Sequence, residues 1–598
     1  MDTRKTKIVC SIGPSCDNDE TIRSMILEGM NVARFNFSHG TYEWHKQAMD
    51  RVKRISKELD IPVAILLDTK GPEIRTGLID GDNNVIFHTG ESVIVTSDDS
   101  LCVNAAGDKP CHISISWKEA PHRLKSGHKI LIADGLIELS VKDVKGEEII
   151  CVCNNDGSIG SRKNVNLIGI HAGLPILSPK DKEDLKFGAG EDIDFVAASF
   201  VSFAEEVVEI KKYLKEVGAN ALVIAKIENE EGLNNIEAIA READGVMVAR
   251  GDLGVQLPTE RIPLAQKAII SCCRRLGKPV ITATQMLDSM INNPRPTRAE
   301  LTDVSNAVFD GTDAVMLSGE TAGGKYPVES VKTMAQITLT TEASQEYISR
   351  MRYLDTSYTP GSNIALMVSH SAYKLAKNIK AKAIITPTMH GNSARMIGSF
   401  RPEQSVIAIT PDAKVQRQLM IHWGVKPFIC PMAPDSEAMT QNAIKIALDK
   451  GAVHLSDVVL MCAGIPLSNP LMANNIRVLV VGNVIARGND YGFADVSTKR
   501  ANGRIIKEEL ITENTDMIRI NKKSILVCWR ITEELTPILR VVEGVISETG
   551  SDMNSEVLKL INPNLIWILG VPDAQSKFEN NLTVTLDGEQ GLVYEGTI

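Results

Sequence analysis

The stretch Ile224–Glu230, IAKIENE, decides how this chain is read. It continues the apolar run ALVIAKIE and looks like a buried β-strand, yet it carries Lys226 and Glu228. Side chains alternate across a strand, so Lys226 and Glu228 share one face while Ala225 and Ile227 share the other. Two readings fit that pattern: a structural ion pair inside a polar layer, or a chemical site placed where the strand ends.

Working outward, the same kind of run recurs before and after it: KIVCSIG, NVARFNFS, VAILLDT and FVAASFV, then GVMVARGD, PVITATQM and AVMLSGE, the last ending near Glu320. Amphipathic helical stretches separate them. Nearly continuous apolar strands, each followed by a crossover helix, are the mark of a parallel sheet covered on both sides. The strand ends are polar: Ser11, Asn36 and Ser38, Asp68, Ser199, Lys226 and Glu228, Asp252, Thr284 and Glu320. Polar residues at the carboxyl ends of strands converge on one mouth in a (β/α)8 barrel, so an α/β fold with that barrel over 1–70 and 172–345 is predicted.

Between the third and fourth strands, 71–171 holds short β-like runs, HKILIADGLIELSV and EEIICVCNN, with Gly and Asp turns. This spacing predicts a small all-β domain inserted at the mouth, able to act as a lid. The βα pattern restarts in AKAIITPT, SVIAITP, VKPFICP, VHLSDVVLMCAG and RVLVVGN, predicting a C-terminal α/β domain over 346–485. An extra β-rich domain, 486–598, ends in LTVTLDGEQGLVYEGTI.

At 598 residues, 43% hydrophobic and 23% charged, the composition is that of a globular protein of several domains. A net charge of -10 argues against a sequence-independent nucleic-acid binder. No run of ~18 apolar residues suggests a membrane span. The start, MDTRKTKIVC, lacks an apolar signal core, and a cytoplasmic location is expected. The eleven cysteines include Cys151/Cys153 and Cys272/Cys273 but no CxxC and no zinc spacing, and they read as reduced core residues.

Several constellations gather at the predicted mouth. Glu228 and Asp252 end consecutive strands, and two carboxylates there suit Mg²⁺, which keeps its other positions for water and substrate oxygens. In ARGDLGVQLP, Gly251 lies between strand and helix, where close backbone approach and free N–H groups favour an anion; a simple turn explains it nearly as well. NVARFNFSHG puts Arg34, Asn36 and Ser38 on one face and leaves Ala33, Phe35 and Phe37 for packing. Arginine suits bidentate phosphate binding, and the amide and hydroxyl oxygens suit a monovalent cation. LLDTKGPEIRTG adds Asp68 and Thr69, then Arg75 just inside the insertion. Together these groups match phosphoryl transfer, in which catalysis is mostly positioning and charge neutralisation. The chain has no GxxxxGK[ST] loop and no HRD or DFG set, so the donor is held by other means.

With ITATQMLDSMINNPRPTRAE and AVMLSGETAGGKYP, these stretches resemble the pyruvate kinase family, in order and with the insertion in the same place. The resemblance covers about residues 1–345, and more loosely the next domain to about 485. It implies transfer of a phosphoryl group from phosphoenolpyruvate to ADP, giving ATP and pyruvate in the last step of glycolysis, with Mg²⁺ (or Mn²⁺) and K⁺, in a homotetramer. It implies that Lys226 stabilises the phosphoryl group in flight, that Glu228 and Asp252 bind Mg²⁺, and that Asn36, Ser38, Asp68 and Thr69 bind K⁺. Arg34, Gly251, Asp252 and Thr284 would contact phosphoenolpyruvate, with Thr284 near the enolate carbon that takes a proton. Arg75, His39 and Lys163 would face the nucleotide, with Asn36 and Ser38 beside it. Glu rather than Lys at position 73 goes, in the family, with a K⁺ requirement, since an ammonium group there replaces the cation by proximity. A catalytically silent relative is the competing reading, and turnover separates the two.

The chain departs from the family in two places. The effector loop usually written T-x-S-G-x-[ST] reads TMHGNS, with Thr388, Gly391, Asn392 and Ser393 kept and His390 in place of the serine. The second glycine-rich loop, GIPLSNPLMANN (Gly464–Asn475), lacks its later glycine. Less backbone is then free to cradle a sugar-phosphate or nucleotide effector. The tail resembles the swivelling phosphohistidine domain of enzymes that use phosphoenolpyruvate. Its VTLDGEQGLVYEG end is intact, but Ser555 stands at the histidine's place and the last histidine in the chain is His454. A serine without a base is a poor phosphate carrier, so a structural tail is expected.

Overall fold

The computed structural model describes residues 4–81, 84–107, 109–356, 364–464, 473–482, 484–495, 497, 499–510, 520 and 523–596, with side chains left aside at 352–356 and 510. The chain divides into two compact units. One comprises Met1–Tyr373, Thr386–Met432 and Ala463–Asn474; the other comprises Lys374–Ile385, Ala433–Cys462 and Asn475–Ile598.

The first unit is built on a closed barrel of eight parallel strands: β1 (Lys7–Ser11), β2 (Val32–Asn36), β3 (Ala64–Asp68), β4 (Phe195–Ala198), β5 (Leu222–Ile227), β6 (Gly245–Ala249), β7 (Val280–Ala283) and β8 (Ala314–Leu317). The sequence predicts all eight. Their alternation sorts side chains into two cores. Val9, Val32, Leu66, Phe195, Ile224, Met247 and Ile281 fill the barrel, while Ala33, Phe35, Ala225 and Ile227 face the surrounding helices. Ile224 points inward, and so do Lys226 and Glu228 two and four positions on. Phe35 and Phe195 are each at most 1% exposed, and a buried side chain of this kind contributes about 1.5–3 kcal/mol.

Local signals fix the helices. Thr297 and Glu300 form a reciprocal capping box that starts the helix Arg298–Asp310, and Gly311 at φ 92° ends it in a left-handed turn that a side chain would strain. Between β3 and β4 the insertion forms a seven-stranded sheet with its own core, including Val93, Ile113, Ile130, Leu139 and Ile149. Its hairpin Lys129–Ile132/Ile137–Lys145 turns through Ala133, Asp134 and Gly135, all at positive φ. The first unit also holds the parallel pair Ser405–Thr410 and Val425–Ile429.

In the second unit, Ala383–Ile385 runs parallel to Val459–Met461. The tail forms an eight-stranded mixed sheet in the order Val484–Arg487, Leu592–Glu595, Thr583–Asp587, Arg500–Lys507, Ser524–Cys528, Gly544–Ser547, Ile566–Leu569 and Asp490–Phe493. Four of these strands, from Arg500–Lys507 to Ile566–Leu569, run parallel, with short helices such as Ser555–Ile561 between them. The tail is thus more α/β in character than a β-rich reading suggests. A hydrophobic alternation of period two does not distinguish a hairpin from a parallel strand with a brief crossover.

Candidate active site

Strand register gathers the polar ends. Ser11 lies beside Arg34 on neighbouring strands, and Asn36 lies beside Asp68. Arg34 Nε donates to Asp68 Oδ2 at 2.6 Å, and its Nη1 donates to Ser11 Oγ at 2.7 Å. Lys226 Nζ reaches Asp68 Oδ1 at 3.0 Å, Ser199 Oγ at 2.7 Å and Glu228 Oε1 at 2.9 Å. The other oxygen of Glu228 accepts the Phe200 N–H at 2.6 Å. Asp68 and Glu228 are each 1% exposed. The structural ion pair therefore exists, but it is one edge of a larger network that opens on the mouth.

Charge balance explains the titration behaviour. Burial opposes ionisation of Asp68, but Arg34 and Lys226 outweigh it and hold its carboxyl below the usual range. Burial likewise opposes charge on Lys226, and Asp68 and Glu228 together overcome it and raise its pKa. Glu228 goes the other way: burial, aided by the Asp252 charge and only partly offset by Lys226, pushes it up to about 7. Asp252 is also raised, by burial first, and it lies close enough to Glu228 for the two charges to act on each other. Three carboxylates thus share two cations. The surplus negative charge falls on the Glu228/Asp252 pair, a donor set that fits one divalent cation completed by water and substrate oxygens. Among the described residues no group of three or more His, Cys, Asp or Glu is placed to hold a metal ion.

On the far side of the mouth, Gly251 N–H donates to Thr284 Oγ1 at 2.8 Å, and Thr284 Oγ1 donates to Ala283 O at 2.6 Å. Thr284 (φ 66°) and Phe200 (φ 59°) are held in left-handed conformations, each costing roughly 1–3 kcal/mol, a strain that concentrates at functional sites. Thr69 Oγ1 accepts the Ser199 N–H at 3.2 Å, and Asn36 Oδ1 accepts the Ser38 N–H at 3.1 Å. A groove of about 300 Å³ opens beside Asp252, lined by Phe200, Asn229 and Gln256 of the barrel and by Asn164 and Asn166 of the insertion.

The sequence-predicted residues Arg34, Asp68, Lys226 and Glu228 are thus directly linked, Asp252 lies beside Glu228, and Gly251 and Thr284 are bonded to each other. Arg75 and Lys163 stand on the insertion. Arg75 donates through Nε and Nη2 to Glu73 Oε2 at 2.8 and 2.6 Å, and the Lys163 N–H donates to Thr76 Oγ1 at 2.9 Å. His39 is exposed, and its carbonyl accepts from His45 Nε2 at 2.8 Å. Sequence reasoning gave no role to three residues. Ser11 and Ser199 complete the hydrogen bonds of Arg34 and Lys226, and Arg250 donates to Thr284 O at 2.7 Å while pairing with Asp303 at 2.7 Å. Their signal was position: each lies at or just past a strand's carboxyl end.

Comparison with known proteins accounts for the whole chain. Residues 3–331 match a family model described as pyruvate kinase, barrel domain; 367–479 match pyruvate kinase, alpha/beta domain; and 520–591 match PEP-utilising enzyme, mobile domain. Curated pyruvate kinases of Staphylococcus aureus strains MRSA252 and USA300 are each 41% identical over 599 aligned residues, covering 99% of both chains. The chain belongs to the pyruvate kinase family. A crystal structure of a pyruvate kinase from Cryptosporidium parvum superposes with a TM-score of 0.75 at 39% identity, over 80% of this chain and 96% of that one. Pyruvate kinases transfer the phosphoryl group of phosphoenolpyruvate to ADP, giving ATP and pyruvate, and that is the reaction of this enzyme. The family generally works with a divalent metal and K⁺. Among the described residues no helix is long and apolar enough to cross a membrane.

The two departures are visible as well. In the TMHGNS loop the Gly391 N–H donates to Thr388 Oγ1 at 2.9 Å, Arg395 Nη2 donates to His390 O at 2.9 Å, and Ser393 is buried. One of the N–H groups that would cradle a phosphate is thereby used inside the loop. Most of the second loop, residues 465–472, lies outside the described residues. In the tail, Ser555 is exposed at the start of the helix Ser555–Ile561, which Asn554 caps. The retained motif takes part in a hydrogen-bond network. Asp587 Oδ2 accepts from Ser456 Oγ at 2.8 Å and from Arg500 Nε at 3.0 Å, and Tyr594 OH lies 2.6 Å from Ser456 Oγ.

Proposed function

We propose that the linked cluster at the barrel mouth performs the transfer, with Lys226 and Arg34 stabilising the phosphoryl group between donor and acceptor. What carries this reading is that Lys226, buried, and Arg34, half-buried, are both hydrogen-bonded and aimed by one carboxylate, Asp68, which leaves them preorganised for charge that develops in the transition state. Glu228 and Asp252 would hold Mg²⁺ or Mn²⁺. The oxygens of Asn36, Ser38, Asp68 and Thr69 would hold K⁺, with Glu73 leaving room for it. The two cations, when bound, neutralise phosphate charge.

Gly251, Asp252 and Thr284 would contact the carboxyl end of phosphoenolpyruvate. The Thr284 hydroxyl hydrogen is directed at Ala283 O, so Thr284 fits the role of ordering the water that protonates the enolate better than that of donating the proton itself. Arg75, His39 and Lys163 would face the nucleotide, with the insertion closing as a lid. A homotetramer in the cytoplasm is the expected state. Control through the TMHGNS loop by a sugar phosphate or nucleotide would have to compete with Thr388 Oγ1, which already takes the Gly391 N–H. A titration of sugar phosphates that leaves half-saturation by phosphoenolpyruvate unmoved would remove it. The central test is pyruvate formation from phosphoenolpyruvate and ADP with Mg²⁺ in K⁺ buffer; a folded protein without turnover would make the silent relative the better reading.

A further inference from the structure

Asp252 and Gln256 lie four residues apart on the helix Arg250–Gln256, so both present to the groove beside the mouth. The near end of this helix is fixed at the site through Gly251 and Arg250, which bond Thr284 at 2.8 and 2.7 Å. Its far end, ~10 Å away by helical rise, touches the insertion: Gln256 Nε2 donates to Asn166 Oδ1 at 3.3 Å. Among the described residues this is the one hydrogen bond that joins the inserted sheet to the barrel away from the two chain crossings, where Gly71 bonds Asp181 and where Trp117 and Arg123 bond Ala172 and His171. Asn166 alternates with Val165 and Leu167, which are buried in the insertion's core, so its side chain belongs to the groove face. The same strand pairs Asn164 with Arg75 and follows Lys163 directly.

We propose that Gln256 and Asn166 are a positioning pair that sets the resting register of the lid, holding Arg75 and Lys163 at the phosphate side of the nucleotide before it arrives. This rests on the nucleotide-facing reading of those two residues. The chemistry of the pair suits the task. The groove is acidic, lined by Glu73, Glu206, Glu230 and Glu231 as well as Asp252. Two neutral amides can hold the lid there without adding charge and without waiting for a metal ion to cancel it.

The test reads the lid and the reaction separately. All cysteines are buried, so spin labels at Lys142→Cys on the insertion and Glu260→Cys on the barrel, both exposed, report one distance in the ligand-free enzyme. Gln256→Ala or Asn166→Ala should broaden that distance distribution, and the exchange Asn166→Gln with Gln256→Asn should narrow it again. In steady-state kinetics either alanine variant should raise KM for ADP about three- to tenfold with KM for phosphoenolpyruvate within about twofold, and the double alanine variant should be no worse than one alone, because neighbours in contact do not add. An unchanged distance distribution overturns the latch whatever the kinetics. A broadened distribution with KM for ADP unmoved overturns the link to the nucleotide, and parental turnover, measured alongside, shows whether the reaction itself stands.

Discussion

Replacing Lys226 with methionine tests the site at its centre, because the side chain keeps its length and loses its charge. In the parent, Lys226 serves Asp68, Glu228 and Ser199 at once. Without it Asp68 retains Arg34, while Glu228 retains one backbone N–H and an unfavourable neighbour in Asp252. Breaking a buried pair by removing one partner costs about 3–5 kcal/mol. The lower end applies, because Glu228, already at about 7, escapes part of the cost by taking a proton. A loss of about 3 kcal/mol lowers the barrel's melting temperature by roughly 6–12 °C, leaving the variant folded at room temperature. The kinetic loss should be far larger: removing a preorganised cation from phosphoryl transfer lowers kcat by about 10³-fold or more, about 4 kcal/mol of barrel-mouth electrostatics. The assay is pyruvate formation at saturating phosphoenolpyruvate and ADP, beside a thermal melt and circular dichroism. A variant that melts lower but keeps more than about a tenth of kcat would refute the reasoning and return Lys226 to a purely structural role.

Turnover should require K⁺ and be much slower in Na⁺ alone, and Glu73→Lys should relax that requirement; equal parental rates in both buffers would count against the assigned cation site. The Glu228 carboxyl is raised in the folded state, so it favours the fold below its unfolded value near 4.5 and loses that contribution as pH rises through about 7. The metal-free enzyme should therefore melt lower at pH 8 than at pH 6, and half-saturation by Mg²⁺ should tighten over the same interval as the competing proton leaves; a flat Mg²⁺ profile would detach Glu228 from the metal. In the tail, Asp587→Ala removes the acceptor shared by Ser456 and Arg500, and about 1–3 kcal/mol of stability should go with it while kcat stays within about twofold. Phosphoenolpyruvate labelled in its phosphate should leave no acid- or base-stable label on Ser555, and a labelled tail peptide in mass spectrometry would overturn the structural reading of that domain.

The barrel was legible because its signal is repeated. Eight apolar runs each end in a polar residue, and one lysine on one strand is enough to show which face looks inward. The cluster at the mouth was legible for the same reason: Arg34, Asp68, Lys226, Glu228 and Asp252 all stand at or near strand ends. What the sequence does not carry is which oxygen each cation meets. Ser11 and Ser199 are ordinary strand-end serines until register sets them beside Arg34 and Lys226, and Arg250 reads as part of a turn until its guanidinium is found on the Thr284 carbonyl. Asn166 and Gln256 are less legible still, since nothing local distinguishes them from solvated amides; only the fold brings two distant segments to 3.3 Å. The tail's parallel strands were missed because their crossovers, such as the seven-residue helix Ser555–Ile561, are too short to show a helical period.

Lys226 also answers why the two readings of IAKIENE were hard to separate. A lysine inside a barrel is tolerable only if carboxylates surround it, so any catalytic lysine placed there must first be half of a structural ion pair. The distinction lies in the surplus. Structural networks perturb carboxyl groups too, but here three carboxylates share two cations, and burial together with the Asp252 charge pushes Glu228 up to about 7. That imbalance costs stability in the ligand-free enzyme and is relieved when Glu228 takes a proton or a further cation joins. On the proposed reading substrate and metal would satisfy that demand together, and the strand that carries Lys226 and Glu228 is where it is built.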